Sequence, residues 1–145
     1  MAFHLNNLEK DTIENENFRK VINTSDNLQL VLMSLKPGED IGMEIHDNVD
    51  QFFRIEKGNG MAIIKKDGLY QELPLTDGSV IIIPKGTYHN IKNTGKESLK
   101  LYSIYSPPNH PNDRIDLNKP EEDIHGGYYG KYLKYKFKYL KSKLN

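Results

Sequence analysis

From Leu28 onward the chain is punctuated. Short stretches rich in Val, Ile, Phe and Tyr are broken roughly every 8 to 12 residues by Gly, Pro, Asp or Asn, which is the spacing of strands joined by turns. Candidate strands run over Leu28 to Leu35, Ile41 to His46, Gln51 to Glu56, Met61 to Lys65, Leu69 to Leu73, Ser79 to Ile83, Tyr88 to Lys92 and Ser98 to Tyr105. No helix-length periodic segment separates them, as parallel βαβ units require, so the expected fold class is all-β and antiparallel, a barrel or jelly roll. Asp67-Gly68 lies between two of these runs, where a tight hairpin turn needs residues that accept a positive φ.

The flanks differ from this body. Residues 1–27 read as a lead-in segment, in which Leu8, Ile13 and Phe18 are too widely spaced to define a helix. Pro107, Pro108 and Pro111 remove backbone donors and mark an extended loop after the last strand. Gly126-Gly127 forms a break, so the domain is expected to span 28–125 and to be followed by an appendage over 126–145. That appendage holds six lysines and no acid, which leaves the preceding body with a net charge near −6 within a chain whose formal total is +0. Its lysines interleave with Tyr128, Tyr129, Tyr132, Tyr135, Phe137 and Tyr139, and Leu133, Phe137, Leu140 and Leu144 share one helical face. Such a basic tail is suited either to docking on its own acidic body or to an external polyanion.

With balanced charge overall, no net field draws the whole molecule to nucleic acid or to an anionic membrane. Cysteine is absent, which excludes disulfides, thiolate metal sites and a cysteine nucleophile, so any metal must be held by nitrogen and oxygen. No purely apolar run is longer than Val80 to Ile83, which is far too short for a membrane span or a signal-peptide core. The expectation is a cytoplasmic protein with no membrane span. A phosphate-binding glycine loop, a nucleophilic triad and a dinucleotide fingerprint are not found in the sequence.

Alternation along a strand sends Glu44 and His46 to the same side. A connection from Asp47 to Asp50 leads to Gln51, and much later His89 follows the turn Pro84-Lys85-Gly86. An antiparallel arrangement can bring these four polar groups together in an otherwise apolar interior. Asp50 competes with Gln51 for the third place. Inward pointing of Asp50, however, would turn Phe53 and Ile55 outward and bury Arg54 and Glu56. His4, His110 and His125 are read as structural or exposed, and Tyr88, Tyr102 and Tyr105 are left unassigned because sequence does not fix which way they point.

The spacing resembles that of the cupin family. Its first motif is Gly, five residues, His-x-His, three or four residues, Glu, six residues, Gly; Gly38, Glu44, His46, Gln51 and Gly58 fit this frame, with Glu44 and Gln51 replacing a histidine and a glutamate. Its second motif is Gly, five residues, Pro-x-Gly, two residues, His, three residues, Asn, and Gly78, Pro84, Gly86, His89 and Asn93 match it throughout. Gly42 to His46 together with Asp50 to Glu56 is similar to small bacterial cupins described as mannose-6-phosphate isomerase-like. The resemblance implies a cupin β-barrel with a divalent metal, iron, manganese, zinc or nickel, held by Glu44, His46, Gln51 and His89.

The two exchanges keep the total ligand charge at −1, and two histidines with one carboxylate resemble the facial triad of non-haem Fe(II) oxygenases. Such a ligand set implies a metal-dependent enzyme of isomerase or dioxygenase type. Its substrate would be a small polar, oxygen-rich molecule such as a sugar phosphate or keto acid, with Glu44 able to leave the metal and act as a base. The rival expectation is a non-enzymatic module that binds a small ligand or metal and is attached to a larger assembly by its basic tail. Outward apolar groups, Phe52 with Leu30 and Leu32, suggest a homodimer.

Overall fold

A computed structural model describes residues 3–121. Within them one short helix precedes nine strands: α1 (Leu8–Glu14), β1 (Arg19–Thr24), β2 (Gln29–Leu35), β3 (Asp50–Lys57), β4 (Gly60–Lys66), β5 (Leu69–Leu75), β6 (Val80–Ile83), β7 (Tyr88–Asn93), β8 (Leu99–Ser106) and β9 (Ile115–Asp116). They form a six-stranded sheet, β6-β3-β8-β2-β1-β9, and a three-stranded sheet, β5-β4-β7, and all the pairings are antiparallel. Neither sheet closes on itself within the described residues. Of the barrel or jelly roll expected from the sequence, the antiparallel all-β class is present, as two open sheets preceded by a helical lead-in, with no sheet closed into a barrel.

The inner faces of both sheets share one apolar cluster, with Val31, Met33, Phe53, Ile55, Leu99 and Leu101 from the larger sheet meeting Ala62, Leu75 and Ile91 from the smaller. Alternation explains the membership. In β3, Gln51, Phe53 and Ile55 are buried while Phe52 and Arg54 face outward, until a register shift between Ile55 and Lys57 buries Glu56 as well.

Residues of the lead-in contribute α1 and β1 to this body. Asn7 caps the helix by accepting the Lys10 N–H at 3.1 Å, acidic Glu9 and Asp11 lie in the first turn, and the buried Thr12 hydroxyl donates to Leu8 C=O. The β4–β5 hairpin turns at Asp67-Gly68, both with positive φ (52° and 76°), as the tight turn requires. The expected strand over Ile41 to His46 does not form as a regular strand. Gly42 adopts φ 90° and its N–H is taken by the Asp40 side chain, leaving only isolated bridges, Asp40 to Lys92 and Glu44 to His89. No helix among the described residues is long and apolar enough to cross a membrane. The expected boundary at 125, His125 and the tail over 126–145 lie outside the described residues.

Candidate metal centre

Glu44 reaches the site through a backbone bridge rather than a regular strand. It exchanges N–H and C=O with His89 at 2.9 Å in each direction, which sets it opposite β7. Two residues on, the His46 carbonyl accepts the Gly86 N–H at 2.7 Å, tying this segment to the turn that introduces β7. Gly86 has φ 77°, a conformation in which a side chain is strained. On the opposite sheet Gln51, near the start of β3, pairs with Tyr105 of β8 and faces inward.

The side chains then converge. Glu44 Oε1 lies 3.4 Å from His46 Nε2 and 3.6 Å from His89 Nε2, and Gln51 Oε1 lies 3.1 Å from His89 Nε2. His89 and Gln51 are buried at 1% exposure, whereas Glu44 and His46 are partly open to solvent. Glu44, His46 and His89 each offer one ligand atom within 4.8 Å of the others. Phe53 closes the floor with its ring edge-on to His89 at 6.0 Å. Asp50 takes no part: it is exposed and accepts the Lys85 N–H at 2.9 Å.

The donor set can be tested against a cation from its hydrogen bonds. His89 Nδ1 lies 2.9 Å from the Thr87 carbonyl, which can only accept, so Nδ1 carries a proton and Nε2 is the ring nitrogen turned into the site. His46 Nε2 is buried without a hydrogen-bond partner. Burial pushes the Glu44 carboxyl up, but hydrogen bonds and charge from His46 and His89 outweigh it and hold it at about 2, so the group is a carboxylate. With the Gln51 carbonyl oxygen, four electron-pair donors face one another, an arrangement that calls for a positive centre, either a proton on an imidazole or a metal ion. The residues fit a divalent cation.

Two further residues join this site that the sequence did not assign to it. Tyr105, at 2% exposure, sets its ring 5.9 Å from that of His46, and His110 packs edge-on against Tyr105 at 5.0 Å with Nε2 3.2 Å from the phenol oxygen. Burial, then the charges of Arg19 and Arg114, lower the His110 pKa to about 4. Burial raises Tyr105 well above its ordinary value. Inward alternation in β8 would have flagged Tyr105 once its register was known; no sequence signal pointed to His110. Tyr102 instead faces outward and stacks on Phe52 at 6.1 Å, and His4 is exposed. A groove of about 380 Å³ beside α1, lined by Asp11, Glu14, Lys20 and Leu32 among others, includes none of the site residues.

Residues 31–105 match the family described as Cupin domain, and the chain belongs to the cupin superfamily. It is 47% identical over 140 residues to an uncharacterized protein of Acanthamoeba polyphaga mimivirus, covering 93% of this chain and 87% of that one. It is 51% identical over 117 residues to the Bacillus subtilis protein YrkC, covering 79% of this chain but only 63% of YrkC, less than two thirds of that protein's length. Among solved structures, BH2720 of Bacillus halodurans is similar with a TM-score of 0.77 and 45% identity, over 80% of this chain and 89% of that one.

Proposed function

We propose that Glu44, His46 and His89, with the Gln51 carbonyl oxygen as a fourth donor, hold a divalent metal ion, and that the protein is a metal-dependent enzyme acting on a small polar, oxygen-rich molecule. The observation that carries this reading is the convergence of one ligand atom each from Glu44, His46 and His89 within 4.8 Å of one another, with Gln51 Oε1 3.1 Å from His89 Nε2. Nitrogen and oxygen ligands of total charge −1 suit iron, manganese, zinc or nickel. A bound ion supplies Lewis acidity toward a carbonyl, which favours isomerase chemistry, or, when redox-active, oxygenase chemistry.

The chain's own residues do the rest. Buried His89 and Gln51 form a fixed floor backed by Phe53, and the partly open Glu44 and His46 form the side a substrate approaches. Glu44, ionised and the more exposed of the two, is the group able to take a proton from a bound hydroxy or keto compound. Elemental analysis of protein purified without chelator tests the reading, together with Glu44→Ala and His89→Ala. Stoichiometric transition metal lost in both variants supports it, and a metal-free intact protein overturns it. Metal bound without turnover on sugar phosphates or keto acids would favour the binding module.

The reading extends to assembly. Ile82, Phe52, Ile104 and Leu30 stand in one register row across β6, β3, β8 and β2 on the outer face. Edge strand β6, Val80-Ile81-Ile82-Ile83, carries no charge to discourage pairing, and Val80 and Ile82 are 46% and 65% exposed. A two-fold contact sets this self-complementary row against its copy, giving a homodimer. Leu32, expected to share in it, is buried at 2% and takes no part. The body is taken to end near residue 125, with 126–145 as a basic appendage suited to a polyanion.

A further inference from the structure

The segment that carries Glu44 to the site is out of step with β7. Asp40 pairs with Lys92 and Glu44 with His89, so three residues, Ile41, Gly42 and Met43, stand opposite two, Asn90 and Ile91. The extra residue is a bulge at Gly42, whose φ is 90°. Its effect is a change of face. In an unbroken strand Ile41 and Met43 would share one side and Glu44 would take the other. Here Ile41 lies in the main core, Met43 packs with Ile63 in a separate cluster on the other face of the smaller sheet, and Glu44 returns to the inner side beside His89.

One side chain holds the bulge. Asp40, buried at 4% exposure, accepts the Gly42 N–H on Oδ1 at 3.1 Å and Asn90 Nδ2 on Oδ2 at 3.3 Å, so a single carboxylate ties the displaced residue to β7. Two neutral donors do not balance a buried charge. The balance comes from Lys119, whose ammonium reaches Asp40 Oδ1 at 2.6 Å and whose side chain is only 11% exposed.

Lys119 arrives on a segment pinned residue by residue. Ile115 and Asp116 pair with β1, the Leu117 carbonyl accepts the Phe18 N–H at 3.3 Å, and the Asn118 side chain accepts Lys36 Nζ at 3.4 Å. The segment after β9 is thereby brought behind the bulge, on the face of β7 that Asn90 occupies and away from His89. His46 has its own tie to the Gly86 N–H, so the bulge bears chiefly on Glu44.

We propose that Asp40 and Lys119 are positioning residues: their buried ion pair locks the Gly42 bulge and so turns the Glu44 carboxylate inward to complete the cation site with His46 and His89. This rests on the metal-binding reading above. It makes a lysine outside both cupin motifs a determinant of metal affinity.

The test uses full-length, metal-free protein titrated with Co(II), read by visible d–d absorption and calorimetry, with thermal melting alongside. Lys119→Met strands the Asp40 carboxylate without its cation and is expected to weaken Co(II) binding about tenfold and to move the absorption bands. Lys119→Gln, which keeps a neutral donor, should weaken binding about threefold and carries the test where Lys119→Met does not fold. Adding Asp40→Asn to Lys119→Met removes the stranded charge but keeps an oxygen for the Gly42 N–H, while Asn90, whose Oδ1 is buried without a hydrogen-bond partner, can turn to accept the introduced amide. This double variant is expected to regain wild-type affinity and bands. Met33→Ala, a core cavity in the larger sheet away from the bulge, should lower the melting temperature at least as much as Lys119→Met yet bind Co(II) as wild type does. Wild-type affinity and bands in the Lys119 variants, no recovery in the double variant, or an equal loss in Met33→Ala would overturn the proposal while leaving the metal site standing. Absence of saturable Co(II) binding to the wild-type protein would instead overturn the metal reading, and this inference with it.

Discussion

Glu44 and His89 exchange both of their backbone hydrogen bonds at 2.9 Å, and their side chains meet 3.6 Å apart. A two-residue bridge does here what a continuous strand would otherwise do, because Gly42 has broken the strand just before it. The backbone pair is independent of the Glu44 carboxylate. Glu44→Gln should therefore leave the melting temperature within a few degrees of wild type while lowering divalent-metal affinity by roughly 100-fold, since the set loses its one negative charge. Calorimetric titration of the metal-free protein measures this; unchanged affinity would remove the carboxylate from the ligand set.

His110 gives the protein an acid-side sensitivity. Unfolded, an imidazole takes a proton near 6.5; in the fold, burial first and then Arg19 and Arg114 delay this to about 4. Between those values the unfolded chain binds more protons than the folded one, so stability falls as pH drops from about 6.5 to about 4 and gains nothing from this group above 6.5. Allowing for partial exposure, the loss attributable to His110 is roughly 2 kcal/mol. Urea unfolding at pH 7 and pH 4.5 should show a shallower decline for His110→Gln than for wild type, and equal declines would assign the sensitivity to other groups.

What the sequence made legible was whatever a local constraint enforces. Asp67-Gly68 reads as a hairpin because its backbone needs positive φ, and inward Phe53 and Ile55 read correctly because a one-residue slip would have buried Arg54. Segments held by distant partners were not legible. Helix α1 has only seven residues and rests on one cap and the burial of Thr12; β1 buries Arg19 against Asp116 at 2.7 Å, which spoils its alternation; β9 is two residues long. The Tyr105–His110 contact depends on hydrogen bonds from Gln29 to a loop 80 residues away in sequence, where no spacing rule applies.

Two glycines, one in the turn before His89 and one at the start of β4, should respond differently to a methyl group. At Gly86 a Cβ meets nothing within 4 Å, so Gly86→Ala carries only the cost of its φ of 77°, about 1 kcal/mol. At Gly60 a Cβ would stand 2.7 Å from the Lys92 carbonyl and 2.9 Å from Leu99, where β4 approaches β7, so Gly60→Ala should cost about 3 kcal/mol or more. Denaturant midpoints of the two variants measure the order. A Gly86→Ala variant less stable than Gly60→Ala would mean that the turn before His89 carries more than backbone strain.

The outer row of Ile82, Phe52, Ile104 and Leu30 makes the last prediction, because an uncharged edge strand beside an exposed apolar face is stable in water only when something covers it. Light scattering at micromolar concentration should give a mass near twice the 16.7 kDa of one chain. Ile82→Asp places a charge at the most exposed position of the row, 65% open, and should yield monomer without unfolding, since the inner faces that carry the core are untouched. The metal centre lies on the other side of the same sheet, so the variant should bind metal as wild type does. A monomeric wild-type protein would overturn the dimer, and an Ile82→Asp variant that remains dimeric would move the interface to another face.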